Sequence, residues 1–121
     1  MNVLVCGGRD YSNANAVFSA LDEIEKTKGQ IRFLIHGSAS GADELAAKWM
    51  KEKIKADPNR SMVACPADWA SHGRAAGPIR NQWMLDQWKP QVVVAFPSGR
   101  GTADMVSRAR LSNVPVIEIN A

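Results

Sequence analysis

The chain has 121 residues, 45% of them apolar and 22% charged. That composition fits one globular domain over residues 1–121 and excludes a disordered or fibrous polypeptide. Fifteen Lys and Arg against twelve Asp and Glu leave a net charge of +3, but the basic residues are scattered rather than gathered into a stripe interleaved with aromatics, which argues against a nucleic-acid partner.

The chain opens directly on a predicted strand, Asn2-Val3-Leu4-Val5-Cys6, with no basic n-region, no h-region and no apolar run long enough to span a bilayer; a cytoplasmic protein without a membrane partner is expected. Ala16-Val17, Ala20-Leu21 and Ile24 then keep a helical stripe. A second strand is predicted over 31–36, followed by a helix carrying Leu45-Ala46, Trp49-Met50 and Ile54. A third strand falls at 61–65. The stretch Pro66 to Gly77 reads as one long irregular loop, longer than connections of about 2–6 residues usual in such folds, and so a candidate functional loop. A third helix runs from about Pro78 to Trp88, a fourth strand spans 91–96, a fourth helix begins near Gly101 or Thr102, and a last strand spans 115–119. Cys6 and Cys65 sit in apolar stretches. Their separation suits neither a zinc site nor a disulfide framework, so two buried, reduced thiols are expected, with no metal and no cofactor implied.

Val- and Ile-rich strands alternating with helices predict an α/β fold, a Rossmann-like three-layer sandwich. Its sheet is five-stranded and mainly parallel, with helices on both faces. In such sheets ligands bind beyond the carboxyl ends of the strands. The segments that follow strands 1, 2 and 4 read Gly7-Gly8-Arg9-Asp10-Tyr11, His36-Gly37-Ser38-Ala39-Ser40-Gly41-Ala42-Asp43 and Pro97-Ser98-Gly99-Arg100-Gly101-Thr102. Six of the nine glycines lie in them. Each loop is expected to feed a helix whose first N–H groups are unpaired and carry roughly half a positive charge. With Arg9 and Arg100 beside them, three such N-termini predict a phosphate site. A Gly-rich strand-to-helix turn is common by itself; three on one sheet edge favour a site. A dehydrogenase fingerprint is absent, because the first loop is GGRDY and strand 2 ends in His36, and no P-loop string occurs. A flavodoxin-like phosphate loop lacks its Ser/Thr-rich first loop.

Arg80 and Asn81 fall at the predicted start of helix 3. A cation there gains nothing from the helix dipole, which favours a ligand contact, and Asn81 can both donate and accept. Asp10, Asp43 and Asp104 lie near helix starts, where each reads equally as a cap or first-turn acid; Asp43 and Asp104 read also as contacts to a ribose hydroxyl. His36 reads as a buried strand-end histidine or a proton shuttle, and His72 as a loop residue that closes over a ligand or faces water. Trp49, Trp83 and Trp88 are predicted in the core, and Trp69 as a platform for a base.

Together the strings VCGGRDY, HGSASGAD, AGPIRN and FPSGRGTAD resemble the YspA-like branch of the SLOG superfamily, related to the LOG phosphoribohydrolases and to the nucleotide-binding domain of DprA. The resemblance implies a nucleotide or nucleotide-derived, ADP-ribose-like small molecule held at these loops, often in a homodimer. It also implies a ligand site of Gly7, Gly8, Arg9 and Asp10; His36, Gly37, Ser38, Gly41 and Asp43; Arg80 and Asn81; and Pro97, Ser98, Gly99, Arg100, Gly101 and Thr102. The LOG signature P-G-G-x-G-T-x-x-E is matched at Pro97, Gly99, Gly101 and Thr102, with Arg80 in place of its upstream arginine. Ser98 replaces a glycine, and Met105 stands at the catalytic glutamate. A thioether can neither stabilise an oxocarbenium-like centre nor activate water. The implied function is therefore a sensor or sequestering module. The alternative is a nucleosidase or phosphoribohydrolase that cleaves a nucleoside monophosphate with Arg80 and a substitute acid, Asp104 first among Asp104, Asp43 and Asp10.

Overall fold

The computed structural model describes residues 1–121. Strands β1 (Asn2–Cys6), β2 (Phe33–His36), β3 (Ser61–Ala64), β4 (Val92–Ala95) and β5 (Val116–Glu118) form one sheet in the order β3-β2-β1-β4-β5. Every pairing is parallel. The chain therefore winds outward from β1 to one edge, then crosses back to β4 on the other side of β1. That reversal leaves a crevice outside the carboxyl ends of β1 and β4.

Helices α1 (Ala14–Lys28) and α2 (Ala42–Ala56) cover one face, and α4 (Ala76–Trp88) and α5 (Arg100–Leu111) the other. The period of two along each strand sorts the core. Val3, Val5, Leu34, Val92 and Val94 pack toward Val17, Leu21, Trp49 and Met50, while Leu4, Ile35 and Val93 pack toward Met84, Leu85, Met105 and Ala109. Val3, Leu4 and Val5 are fully buried, each worth roughly 1.5–3 kcal/mol, so β1 is the central slab on which both layers rest. Across the first layer Trp49 Nε1 donates to Asp22 Oδ1 at 2.9 Å, which ties α2 to α1. No helix is long and apolar enough to cross a membrane.

Strands β2 to β5 are shorter than expected by one or two residues at an end, α4 and α5 begin one or two residues earlier, and four differences matter more. The stretch from Pro66 to Gly77 is not one irregular loop: it holds a short helix α3 (Trp69–His72) and a 3₁₀ turn (Gly73–Ala75) leading into α4. Asp68 starts it by accepting from the Ser71 N–H at 3.1 Å. Arg80 is accordingly the fifth residue of α4, beyond the first turn in which it was expected. Trp83 is 49% exposed, in contrast to buried Trp49. Trp83 and Trp88 are five positions apart, about 140° around a helix, so one points away from the core when the other packs into it; Trp88 packs against the second layer and Trp83 faces out. Cys65 is buried, Cys6 only partly, and both thiols are free.

Candidate functional site

The crevice is a cleft of about 750 Å³ at the point where the strand order reverses, within the size range of small-molecule sites. Gly7 to Asp10 form one wall, Gly37, Ala39 and Asp43 the back, and Ser98 to Thr102 with Asp104 the opposite wall; Arg80 and Asn81 reach in from α4. Of the expected residues, His36, Ser38, Gly41 and Pro97 are not among those lining it.

Two of the three expected helix N-termini point here. The Gly-rich loop after β1 does not feed α1 directly, because residues up to Asn13 intervene and the Asn13 side chain caps α1 by accepting from Ala16 N–H at 3.1 Å. At α2 the Ala42 N–H is already bonded to the Gly8 carbonyl at 3.3 Å. The N-terminus of α5 has Gly99 as its cap, with no side-chain hydrogen bond and no acid in the first turn. Its field therefore bears on the cleft without a side-chain cap.

Several of the glycines there are steric necessities. Gly41 has φ +77°, and a Cβ on it would collide with the carbonyl oxygen of Gly8. At Gly37 a Cβ would stand 2.5 Å from Arg80 Nη1. Ser38 and Ser98 adopt left-handed backbone with φ of 60° and 74°, a strain of about 1 kcal/mol or more for each. Ser38 N–H is satisfied there by donating to His36 Nδ1 at 3.0 Å. The neutral His36 ring thus carries its hydrogen on Nε2, which is buried without a partner. By strand alternation His36 shares the α2 face with Leu34. Burial, followed by Lys51 and Arg80, lowers its pKa and keeps it neutral.

Arg80 is a brace. Its Nη1 donates to the carbonyls of Gly37 at 2.6 Å and Cys65 at 3.1 Å, and its Nε to Asn81 Oδ1 at 3.0 Å. Nη2 has no protein partner. Burial lowers its pKa, an effect that Asp43 opposes. Asn81, 3% exposed, has both ends occupied: besides accepting from Arg80, its Nδ2 donates to the Gly101 carbonyl at 3.2 Å and Asp104 Oδ2 at 3.0 Å. The same Asp104 oxygen accepts from Arg108 Nε at 2.8 Å. Neither Asn81 nor that oxygen is free to read a ligand; they hold α4 against the α5 loop.

The three acids differ. Asp10 is exposed in a turn. Asp43, in the first turn of α2, is 5% exposed and caps the preceding loop, its Oδ2 accepting from Gly37 N–H at 3.0 Å and Ala39 N–H at 3.2 Å. Burial pushes its carboxyl up to about 6, against the pull of those N–H groups and of Arg80 and Arg9. It also raises the Cys6 thiol, which burial chiefly drives to about 12. A raised acid pKa penalises the folded state in the charged form. The penalty is absent below the unfolded value of 3.8 and complete above about 6. Asp43→Asn is therefore expected to stabilise the protein at pH 8 by up to about 3 kcal/mol, since each tenfold change in acidity corresponds to about 1.4 kcal/mol, and by nothing near pH 3.5. Urea midpoints at the two pH values check this.

Trp69 lies at the mouth, 49% exposed, with the Arg9 guanidinium 5.7 Å from its ring centroid. His72 is exposed beyond it. Arg74, in the 3₁₀ turn, also lines the cleft. It is absent from the expected site because that segment reads as irregular in sequence; the Asp68-x-x-Ser71 cap was the available signal.

Met105 is fully buried between Leu4 and Ala109 in the second core layer and does not line the cleft. The residue at the LOG glutamate position thus serves packing.

Comparison with known proteins bears on residues 1–72, which match the model of the YspA, cpYpsA-related SLOG family. That segment carries the loops after β1 and β2 but ends before Arg80 and the α5 loop. Over 118 residues the chain is 34% identical to the Gene 61 protein of Mycobacterium phage D29, covering 95% of this chain and 93% of that protein. No solved structure matches the chain. The fold, the loops and these two similarities place the chain in the YspA, cpYpsA-related SLOG family.

Proposed function

We propose that the protein binds a nucleotide or nucleotide-derived, ADP-ribose-like small molecule in the cleft between β1 and β4, acting in the cytoplasm as a sensor or sequestering module. The observation that carries this reading is the cleft itself. The uncapped start of α5, the free Nη2 of Arg80, and Arg9, Arg74 and Arg100 converge on it, as an anionic group requires. Trp69 at the mouth offers a face for a base. The burial of Met105 in the core leaves the LOG carboxylate without a counterpart, which favours binding over hydrolysis.

Isothermal titration with AMP, ADP-ribose and cyclic ADP-ribose tests the reading. Binding of at least one below the millimolar range is expected; none binding overturns it. A second reading, cleavage of the N-glycosidic bond of a nucleoside monophosphate, draws on the raised pKa of Asp43, about 6 and suited to proton transfer at neutral pH. Chromatography for free base after incubation with nucleoside monophosphates decides between the two. The homodimer remains part of the proposal, and sedimentation at micromolar concentration tests it.

A further inference from the structure

Asp43 is the most deeply buried acid of the cleft. Asp104 Oδ2 is held by Asn81 and Arg108, and Asp10 stands in solvent at the rim. Asp43, by contrast, is 5% exposed. Its Oδ2 takes the Gly37 and Ala39 N–H groups of the loop after β2, while its Oδ1 has no protein partner and the residue lines the cleft. Arg9 and Arg80 lie close enough to bias its charge, yet neither bonds to it. An unpartnered carboxylate oxygen on a residue that lines a cavity, with its sister oxygen pinned, is a fixed acceptor waiting for a donor. Phosphate oxygens cannot supply one. A sugar hydroxyl can.

Resting on the nucleotide reading above, we propose that Asp43 Oδ1 accepts a hydrogen bond from a ribose hydroxyl of the ligand, so that the cleft selects ribonucleotide-derived molecules and rejects those whose sugar lacks its hydroxyls. The phosphate then lies toward the start of α5 and Arg80, and the base toward Trp69. A ligand without the hydroxyls expels water from Oδ1 and leaves a charged acceptor unpaired. Selectivity of this kind arises from that unpaired group and is stronger than selectivity for an added methylene.

The test is titration of the protein with AMP and with 2′,3′-dideoxy-AMP, the two differing only in the sugar hydroxyls. AMP is expected to bind about 30-fold more tightly, or better, the effect of leaving one charged acceptor unpaired. Asp43→Asn is the companion variant. Its amide oxygen keeps the Gly37 and Ala39 N–H bonds, so the loop is retained, while the charged acceptor in the cleft becomes a neutral donor; the preference is expected to fall to a few-fold. Equal affinity of the wild-type protein for the two probes overturns the assignment of Asp43 and leaves the nucleotide reading standing. An undiminished preference in Asp43→Asn overturns it likewise. If neither probe binds, the nucleotide reading falls and this inference with it.

Discussion

Arg80→Ala is expected to weaken binding of AMP or ADP-ribose by on the order of 100-fold, the largest single-residue loss of affinity in the cleft. A charge-assisted hydrogen bond to an anion contributes about 1.5–3 kcal/mol, and on the proposed function the free Nη2 would be the donor that α4 offers. The same substitution removes the hydrogen bonds to the Gly37 and Cys65 carbonyls. The urea midpoint is thus expected to drop as well, by an amount equivalent to about 1–3 kcal/mol. Titration of the folded variant, at a temperature where its circular dichroism matches that of the wild type, separates the two effects. Wild-type affinity in that variant removes Arg80 from the site.

Met105→Glu is the second large effect, and it runs against what alignment to the hydrolases suggests. Restoring their glutamate is expected to destabilise the protein by about 4 kcal/mol rather than to create a hydrolase, because position 105 is fully buried among Leu4, Ile35, Met84 and Ala109 and an unpaired buried carboxylate carries a penalty of that order. Chemical denaturation measures the loss, and chromatography for adenine after incubation with AMP is expected to show none. A variant with an unchanged midpoint that releases adenine would show that the carboxylate reaches the cleft.

The strands were legible because parallel strands buried on both faces read as unbroken Val and Ile runs, as Val92-Val93-Val94 does. The loops were legible because glycine is required where backbone meets backbone, as at Gly41 beneath the Gly8 carbonyl. What could not be read was which partner each polar group takes. Asn81 looked like a reader of ligands and is a strut between Arg80, Gly101 and Asp104. Asp43 and Asp104 were indistinguishable as letters near helix starts; only the folded chain shows one carboxylate paired with Arg108 and the other buried against two backbone N–H groups. His36 ended a strand whose register decided that its ring lies on the α2 face. Trp83 failed for a simpler reason, since a five-residue step changes helix face.

The contacts of Arg80 and Asn81 have a mechanical meaning. The crevice separates two halves of the fold that diverge from β1, and crevices of this kind open where no strand spans them. Adjacent residues of one helix reach both banks: Arg80 grips the Gly37 carbonyl on the β2 side, and Asn81 grips the Gly101 carbonyl on the β4 side. Helix α4 therefore acts as a keystone. A displacement of one bank would be carried to the other through a single turn of helix.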